Sequence, residues 1–350
     1  MVDKCAPLFL VSHKKKYIYL AVAVIVVAVV WGSLALYEKT TRAYPGAEDV
    51  WLRIPKGSTE ESIRDSLRYN LGATYGETVF EMWRLAKGTP LKAVGAYKIQ
   101  HGDKALDIAR RLKRGAQTPI KLTFNNVRLF NDIASRIASH FDFDAEDFMA
   151  AADSLLPSYG IDSRNYIGAF LPDTYEFYWN SNPAKVIERL YAYHESFWND
   201  ERKSKASAIG LTPEQVTVLA SIVDEETAVS NEKPVIARLY LNRLGKGMKL
   251  QADPTVKFAV CDFSLRRILN KHLATESPYN TYLHIGLPPG PIRMPEKSTI
   301  DAVLNAPKNN YLYMCAKEDF SGTHNFATTL EQHNANATRY RQALDNRKIK

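Results

Sequence analysis

The pattern of apolar and polar positions changes sharply along the 350 residues of the chain, and its first feature is an apolar run without periodicity. Tyr17 to Tyr37 contains no charged residue. At about 1.5 Å per residue, a helix of that length crosses a hydrocarbon layer of about 30 Å. The pattern predicts a transmembrane helix over residues 17–37, a tail over residues 1–16 and a linker over residues 38–49. Trp31, Tyr17, Tyr19 and Tyr37 suit the two interfacial zones. A cleaved signal peptide has an apolar region of roughly 7–15 residues and a small-residue cleavage site. The longer run and the lack of such a site favour a retained anchor. Lys14, Lys15 and Lys16 precede the run, whereas Glu38, Lys39 and Arg42 nearly balance after it. The positive-inside rule therefore expects a cytoplasmic N-terminus, with everything after residue 42 outside.

Beyond the linker the period shortens and then alternates. Val50–Ile54 reads as a strand, Pro55 to Ser58 as a turn, and Ile63 and Leu67 mark a helix for which Ser58 and Glu61 have the form of a capping box. Residues 72–90 carry Phe80, Met82, Trp83 and Leu85 at helical spacing. Gly95–Ile99 reads as a second strand, His101 to Asp103 as a turn, and Ala105, Ile108, Ala109 and Leu112 as one face of a helix. These units predict a small α+β module over residues 50–125, closed by a strand at Ile120–Phe124. The module is similar to LysM domains, which bind amino-sugar polymers; a packing module without a ligand is the alternative. Residues 126–350 are expected to form a larger mixed α+β domain. A helical stretch from Leu129 to Leu156 comes first, followed by an aromatic-rich segment, Phe170–Phe177, too short for a helix. Pro183–Asn199 is amphipathic, with Asn182 as N-cap and a first-turn proline.

The next helix carries candidate chemistry. Thr212 caps it, Pro213 takes the first turn and Gln215 completes the box. At about 100° per residue from Leu219, Ile222 falls near −60°, Val223 near +40°, Val216 near +60° and Glu226 near −20°. Glu226 thus lies within the apolar stripe, while Asp224 and Glu225 fall roughly 120–140° away, on flanking or exposed faces. A carboxylate on a core face is costly unless paired, hydrogen-bonded or neutral. Burial raises its pKa toward the range useful to a general acid. The competing expectation ends the helix at Val223 or Asp224, leaving Glu226 in a loop or paired with Arg238. Pro234–Leu244 forms another amphipathic helix, with Val235, Leu239 and either Ile236 or Tyr240 inward. After it come Gln251 and Asp253, with Asp253-Pro254 as a turn signal, then Tyr279-Asn280 and the Pro/Gly-rich Gly286–Ile292. These segments suit polar-aromatic loops lining a groove for sugars.

Composition narrows the classes. A chain 45% hydrophobic and 24% charged is ordinary for a folded protein and argues against disorder. Half of the net charge of +8 lies within residues 1–42. After residue 42 there are 40 basic and 36 acidic residues, too mild an excess to suggest nucleic acid. Cys5 falls on the cytoplasmic side, while Cys261 and Cys315 could pair in an oxidising compartment. No Cys/His spacing suggests zinc, and no cofactor is expected.

The ordered set Ser221-Ile222-Val223 with Glu226-Thr227-Ala228, Asn242-Arg243-Leu244, Leu250-Gln251 with Asp253-Pro254-Thr255-Val256, Tyr279-Asn280-Thr281-Tyr282, Gly286–Ile292, and His324 with Phe326 resembles the YceG-like endolytic murein transglycosylases. Leu171-Pro172-Asp173-Thr174-Tyr175, the anchor and the small module extend the resemblance over nearly the whole chain. It implies a lytic transglycosylase of the inner membrane with its catalytic part in the periplasm. Such an enzyme cuts the bond between N-acetylmuramic acid and N-acetylglucosamine in peptidoglycan strands and leaves 1,6-anhydro ends. The family's catalytic glutamate falls on Glu226. Gln251, Asp253, Tyr279, Asn280 and His324 become candidate groove residues, and penicillin-binding-protein synthases become candidate partners. Two departures stand out: Asp224 occupies a position usually Glu, and Tyr166 to Ala169 lacks the acidic residue that commonly precedes Phe170. A hydrolytic muramidase, with Asp224 or Asp253 activating water, and a non-catalytic glycan-binding scaffold are the competing classes.

Overall fold

The computed structural model describes residues 9–125, 127–265 and 267–347, with side chains from residue 15 onward. Cys5 and the start of the expected cytoplasmic tail lie outside the described residues. α1 (Phe9–Thr41) contains the apolar run and continues past Tyr37, so the first residues of the expected linker are helical. Its large apolar side chains from Tyr17 to Tyr37 are each at least 50% exposed, leaving a helix long and apolar enough to cross a membrane.

The chain divides into two compact units, the first ending at Pro119 and also taking in Tyr178–Asn180. In the first, β1 (Val50–Ile54) is followed by α2 (Glu60–Leu71), α3 (Ala73–Leu85), the single turn α4 (Pro90–Ala93), β2 (Gly95–Ile99) and α5 (Ala105–Arg114). β1 and β2 pair antiparallel, with Leu52 opposite Tyr97. Leu52, Ile63, Leu67, Val79, Trp83, Tyr97, Ile108 and Leu112 form the core beneath them. The cap of α2 lies one residue later than expected: Thr59 and Ser62 form the reciprocal pair. Both are short hydroxyl residues that close this box as Ser58 and Glu61 do not. α2 and α3 approach closely at Gly76, where a Cβ would stand 2.3 Å from the Leu67 carbonyl oxygen.

The second unit begins with β3 (Ile120–Phe124), which pairs antiparallel with β4 (Asp173–Phe177), Leu122 facing Tyr175. The strand expected to close the small module therefore belongs to the larger unit, because its hydrogen-bonding partner lies some fifty residues downstream. α6 (Phe130–Ala138) and α7 (Ala145–Leu155) fill the interval. α8 (Pro183–Phe197), α9 (Asp200–Ala208), α10 (Pro213–Glu226) and α11 (Lys233–Gly245) come next, then α12 (Asp253–Val260) and the short α13 (Asn270–Leu273). Asp253-Pro254 opens a helix rather than a free turn, the proline occupying its first turn. The unit ends with α14 (Lys297–Leu304), the antiparallel pair β5 (Tyr313–Ala316) and β6 (His324–Ala327), and α15 (Leu330–Asn346).

α10 is the axis of this unit. All eight residues from Val216 to Val223 are buried, so the helix is enclosed around its circumference, with α11 and α14 against it. Its capping box, Thr212 with Gln215, is formed as the sequence predicts.

Candidate functional site

The buried helix α10 ends in three consecutive carboxylates, and each has a different environment. Asp224 accepts from Lys233 Nζ at 2.7 Å, from Thr299 Oγ1 at 2.5 Å and from the Glu296 backbone N–H at 2.7 Å. Its side chain is 2% exposed. Glu225 receives Arg128 at 2.8 Å and Arg293 at 3.0 Å. Neither therefore lies on an exposed face: a single-helix projection does not include the basic residues that other elements bring against it. Glu226, the last residue of the helix, has no cation bonded to it among the described residues; Tyr240 Oη donates to its Oε1 at 2.6 Å. Arg238 donates instead to the carbonyls of Ala306 and Pro307.

Burial pushes the Glu226 carboxyl up to about 7. The Tyr240 hydrogen bond opposes that rise, as does the more distant Lys257, while the negative charges of Asp253 and Glu225 add to it. A carboxyl in this state holds a proton near neutrality and can release and recover it, which is the requirement for a general acid that turns into a base.

Glu226 opens onto a cleft of about 450 Å³. α11 contributes Leu239, Tyr240 and Arg243 to its wall, the following segment Leu250, Gln251 and Asp253, and the β5–β6 hairpin the run Tyr313–Ala316 and His324. Arg243 fixes this corner: its guanidinium donates to the carbonyls of Leu312, Lys249 and Leu250 and to Gln251 Oε1. Gln251 adopts φ +50°, a left-handed conformation secured by that contact and by its N–H bond to the Thr281 carbonyl. Asp253 is exposed in the cleft and accepts from Tyr282 Oη at 2.6 Å. His324 is held by Glu232, at 3.0 Å from Nδ1 and 2.7 Å from its backbone N–H.

Of the expected groove residues, the structure brings Gln251, Asp253 and His324 together with Glu226, and places Tyr279 and Asn280 outside the cleft wall. Asn280 is fully buried and donates to the Leu273 and Thr275 carbonyls, so it shapes the loop that presents Tyr282. Tyr279 packs on Phe258, with ring centroids 4.7 Å apart. Gly286–Ile292 does not line the cleft either. Asn165 bonds the Pro289 carbonyl, a Cβ on Gly290 would meet the Arg164 carbonyl oxygen at 2.1 Å, and the Ile292 N–H donates to Ser221 Oγ. This loop braces α10 instead. Tyr240 as the partner of Glu226, together with Glu232, Arg243 and Tyr282, is information that only the fold supplies. Cys261 and Cys315, left open as a possible pair by the sequence, are both free, Cys315 standing in the cleft wall. Among the described residues no cluster of three or more His, Cys, Asp or Glu could hold a metal ion.

The YceG-like family matches residues 52–339. A Bacillus subtilis protein named endolytic murein transglycosylase is 28% identical over 314 residues, covering 83% of this chain and 84% of its own length. A Streptococcus pneumoniae protein of the same name is 26% identical over 327 residues, covering 83% of this chain and 58% of its own. The crystal structure of a YceG-like protein from Listeria monocytogenes superposes with a TM-score of 0.56 at 24% identity, over 83% of this chain and 99% of that one. Since the family match spans both units and includes α10, the cleft and the β5–β6 hairpin, the chain belongs to the YceG-like family.

Proposed function

We propose that this protein is an endolytic murein transglycosylase. It would cleave the β-1,4 bond between N-acetylmuramic acid and N-acetylglucosamine within peptidoglycan strands, leave 1,6-anhydro ends, and so terminate or process nascent strands. The observation that carries the reading is Glu226: a carboxyl raised to about 7 by burial, opening onto a cleft also walled by Gln251, Asp253, Tyr282 and His324. The names borne by the relatives support the substrate. In the first step the protonated carboxyl donates to the glycosidic oxygen as positive charge develops at C1. The resulting carboxylate then accepts the proton of the muramoyl C6 hydroxyl, whose oxygen closes on C1 to form the anhydro ring. The nucleophile belongs to the substrate, so a second enzymic carboxylate is not required, and the acid is restored at the end of the cycle. Tyr240 stabilises the carboxylate between the two steps. Gln251, Asp253 and His324 are the proposed sugar contacts, whereas Tyr279 and Asn280 act on the loop behind them.

The position of Asp253 in the same cleft gives a hydrolytic muramidase a water-activating candidate; Asp224, tied to Lys233 and Thr299, is not one. Mass spectrometry of products from purified glycan strands separates the readings, anhydro ends marking the lyase and reducing ends the hydrolase. Glu226→Gln should lower turnover by about 10²–10⁴-fold while leaving glycan binding intact. Full activity in that variant would sink the assignment. The proposal extends to the first unit: a strand, two helices and an antiparallel strand support a LysM-like glycan-holding module. It also takes α1 as a retained single-pass anchor in the inner membrane, with the cytoplasm on its N-terminal side, and penicillin-binding-protein synthases as partners.

A further inference from the structure

The acid–base cycle uses no imidazole, yet His324 and His333 both line the cleft, and the first of them is held by a carboxylate. Both oxygens of Glu232 are committed to His324: Oε1 accepts its backbone N–H at 2.7 Å, and Oε2 stands 3.0 Å from Nδ1. Oε2 also accepts from Thr227 Oγ1 at 3.4 Å, and Thr227 directly follows the acid in the chain. The Glu232 side chain is 12% exposed and the His324 side chain 15%. A carboxylate that already accepts at both oxygens has no proton to give, so Nδ1 carries the hydrogen of that bond. The ring lines the cleft, and its Nε2 has no protein partner among the described residues and is not sealed from solvent. A polar ring nitrogen held at this edge by a carboxylate is presented to whatever fills the cleft.

We infer that Glu232 and His324 form a substrate-orienting dyad in which His324 Nε2 hydrogen-bonds a hydroxyl of the sugar seated beside Glu226, with Glu232 as the positioning residue. The inference rests on the glycan reading given above. A hydroxyl is the group that fits, because it donates to Nε2 of a neutral ring and accepts from Nε2 of a charged one. The dyad bridges two walls of the cleft: Glu232 precedes α11 and His324 opens β6. Through Thr227 the same carboxylate reaches the residue after the acid, so a sugar held by His324 is held at a fixed distance from Glu226.

The test uses the full chain in detergent micelles, with Glu226→Gln as the non-turning background and a peptide-free tetrasaccharide of two disaccharide repeats as the probe. Calorimetry should find binding weakened about tenfold by His324→Ala, the usual worth of one hydrogen bond. Glu232→Gln should weaken it similarly, because a neutral amide replaces the charge-assisted bond to Nδ1 and holds the ring less firmly in place. Combining the two changes should add little to either. The ¹⁵N resonance of His324 Nε2 in the background protein, assigned by its loss in His324→Gln, should move when the tetrasaccharide is added; a purely structural histidine would not respond. An unchanged affinity in folded His324→Ala, or in His324→Gln should the alanine variant not fold, would overturn the dyad, as would an unmoved Nε2 resonance at saturation. Failure of the Glu226→Gln background itself to bind the tetrasaccharide would instead overturn the glycan reading, and the dyad with it.

Discussion

At the scale of single residues, three adjacent acids on one helix end are differentiated by what faces them, and among the described residues Glu226 is the one that meets a hydroxyl instead of a cation. In the proposed mechanism its proton is needed for the first step, so the rate should fall as pH rises through about 7, which a pH profile of kcat/KM would read. Stability follows the same sign. A carboxyl raised from 4.5 to about 7 contributes stability that is complete below 4.5 and lost as pH rises through 7, up to about 3 kcal/mol. Glu226→Gln keeps an acceptor for Tyr240 and cannot ionise, so it should unfold at a higher temperature than the wild type at pH 8 and at nearly the same temperature at pH 4. Equal melting temperatures at pH 8 would contradict the burial argument. Tyr240→Phe removes the donor that favours the carboxylate. The alkaline limb should then move to higher pH, with kcat lower by about tenfold because the second step loses its stabilised base. A limb that stays put would mean that the phenol contributes nothing to the acid. Glu226 is legible in the sequence because an apolar helix stripe is a local property. Tyr240 is not legible as its partner, since that contact joins two helices, and Asp224 reads as exposed until Lys233 and Thr299 are brought to it.

At the scale of elements, the helices most readable in the sequence are those with chemical punctuation: Thr212, Pro213 and Gln215 at α10, and Asn182 with Pro183 at α8. The sheets are less readable. β3 pairs with a strand about fifty residues away, and all four residues of β5 are partly buried, so no alternation marks it. The hairpin that walls the cleft therefore has almost no local signature beyond His324 and Phe326. What holds the end of α10 in place is also long-range. Lys233 at the start of α11 bonds Asp224 on α10 and both Glu296 and Thr299 at the start of α14, joining three helices at one ammonium group. Removing one partner of a buried pair leaves the other charge uncompensated, so Lys233→Ala should cost about 3–5 kcal/mol in urea unfolding. Replacing both by apolar residues, Lys233→Met with Asp224→Leu, should cost less than the single change. A double variant as unstable as the sum of its singles would show that the two charges do not act as a pair.

At the scale of the whole molecule, the question is what α1 does for the rest, and the answer follows from where its contacts stop. Its apolar side chains have no protein cover, whereas the residues just after it are built into the first unit. The Arg42 carbonyl accepts the Ala105 N–H, Ala43 bridges to Lys104, and Tyr44 is buried against Tyr75 with ring centroids 5.6 Å apart. The apolar helix thus gives way to the folded unit close to Thr41. A chain beginning at Arg42 keeps every one of these contacts and loses the exposed Lys39–Glu81 pair, worth about 0–1 kcal/mol, and the packing of the last turn of α1 on α5. It should be soluble without detergent, unfold at nearly the same temperature as the full chain, and cleave isolated glycan strands with unchanged products. The full chain should remain in the membrane fraction after alkaline carbonate extraction and leave it only with detergent, since about twenty apolar residues in lipid hold far more firmly than surface charge. Starting the chain at Pro45 instead would delete Tyr44 from the core and should lower the melting temperature of the first unit. Release of the full-length chain by carbonate would contradict the proposed anchor, and a chain from Arg42 that fails to fold would mean that α1 supports the first unit.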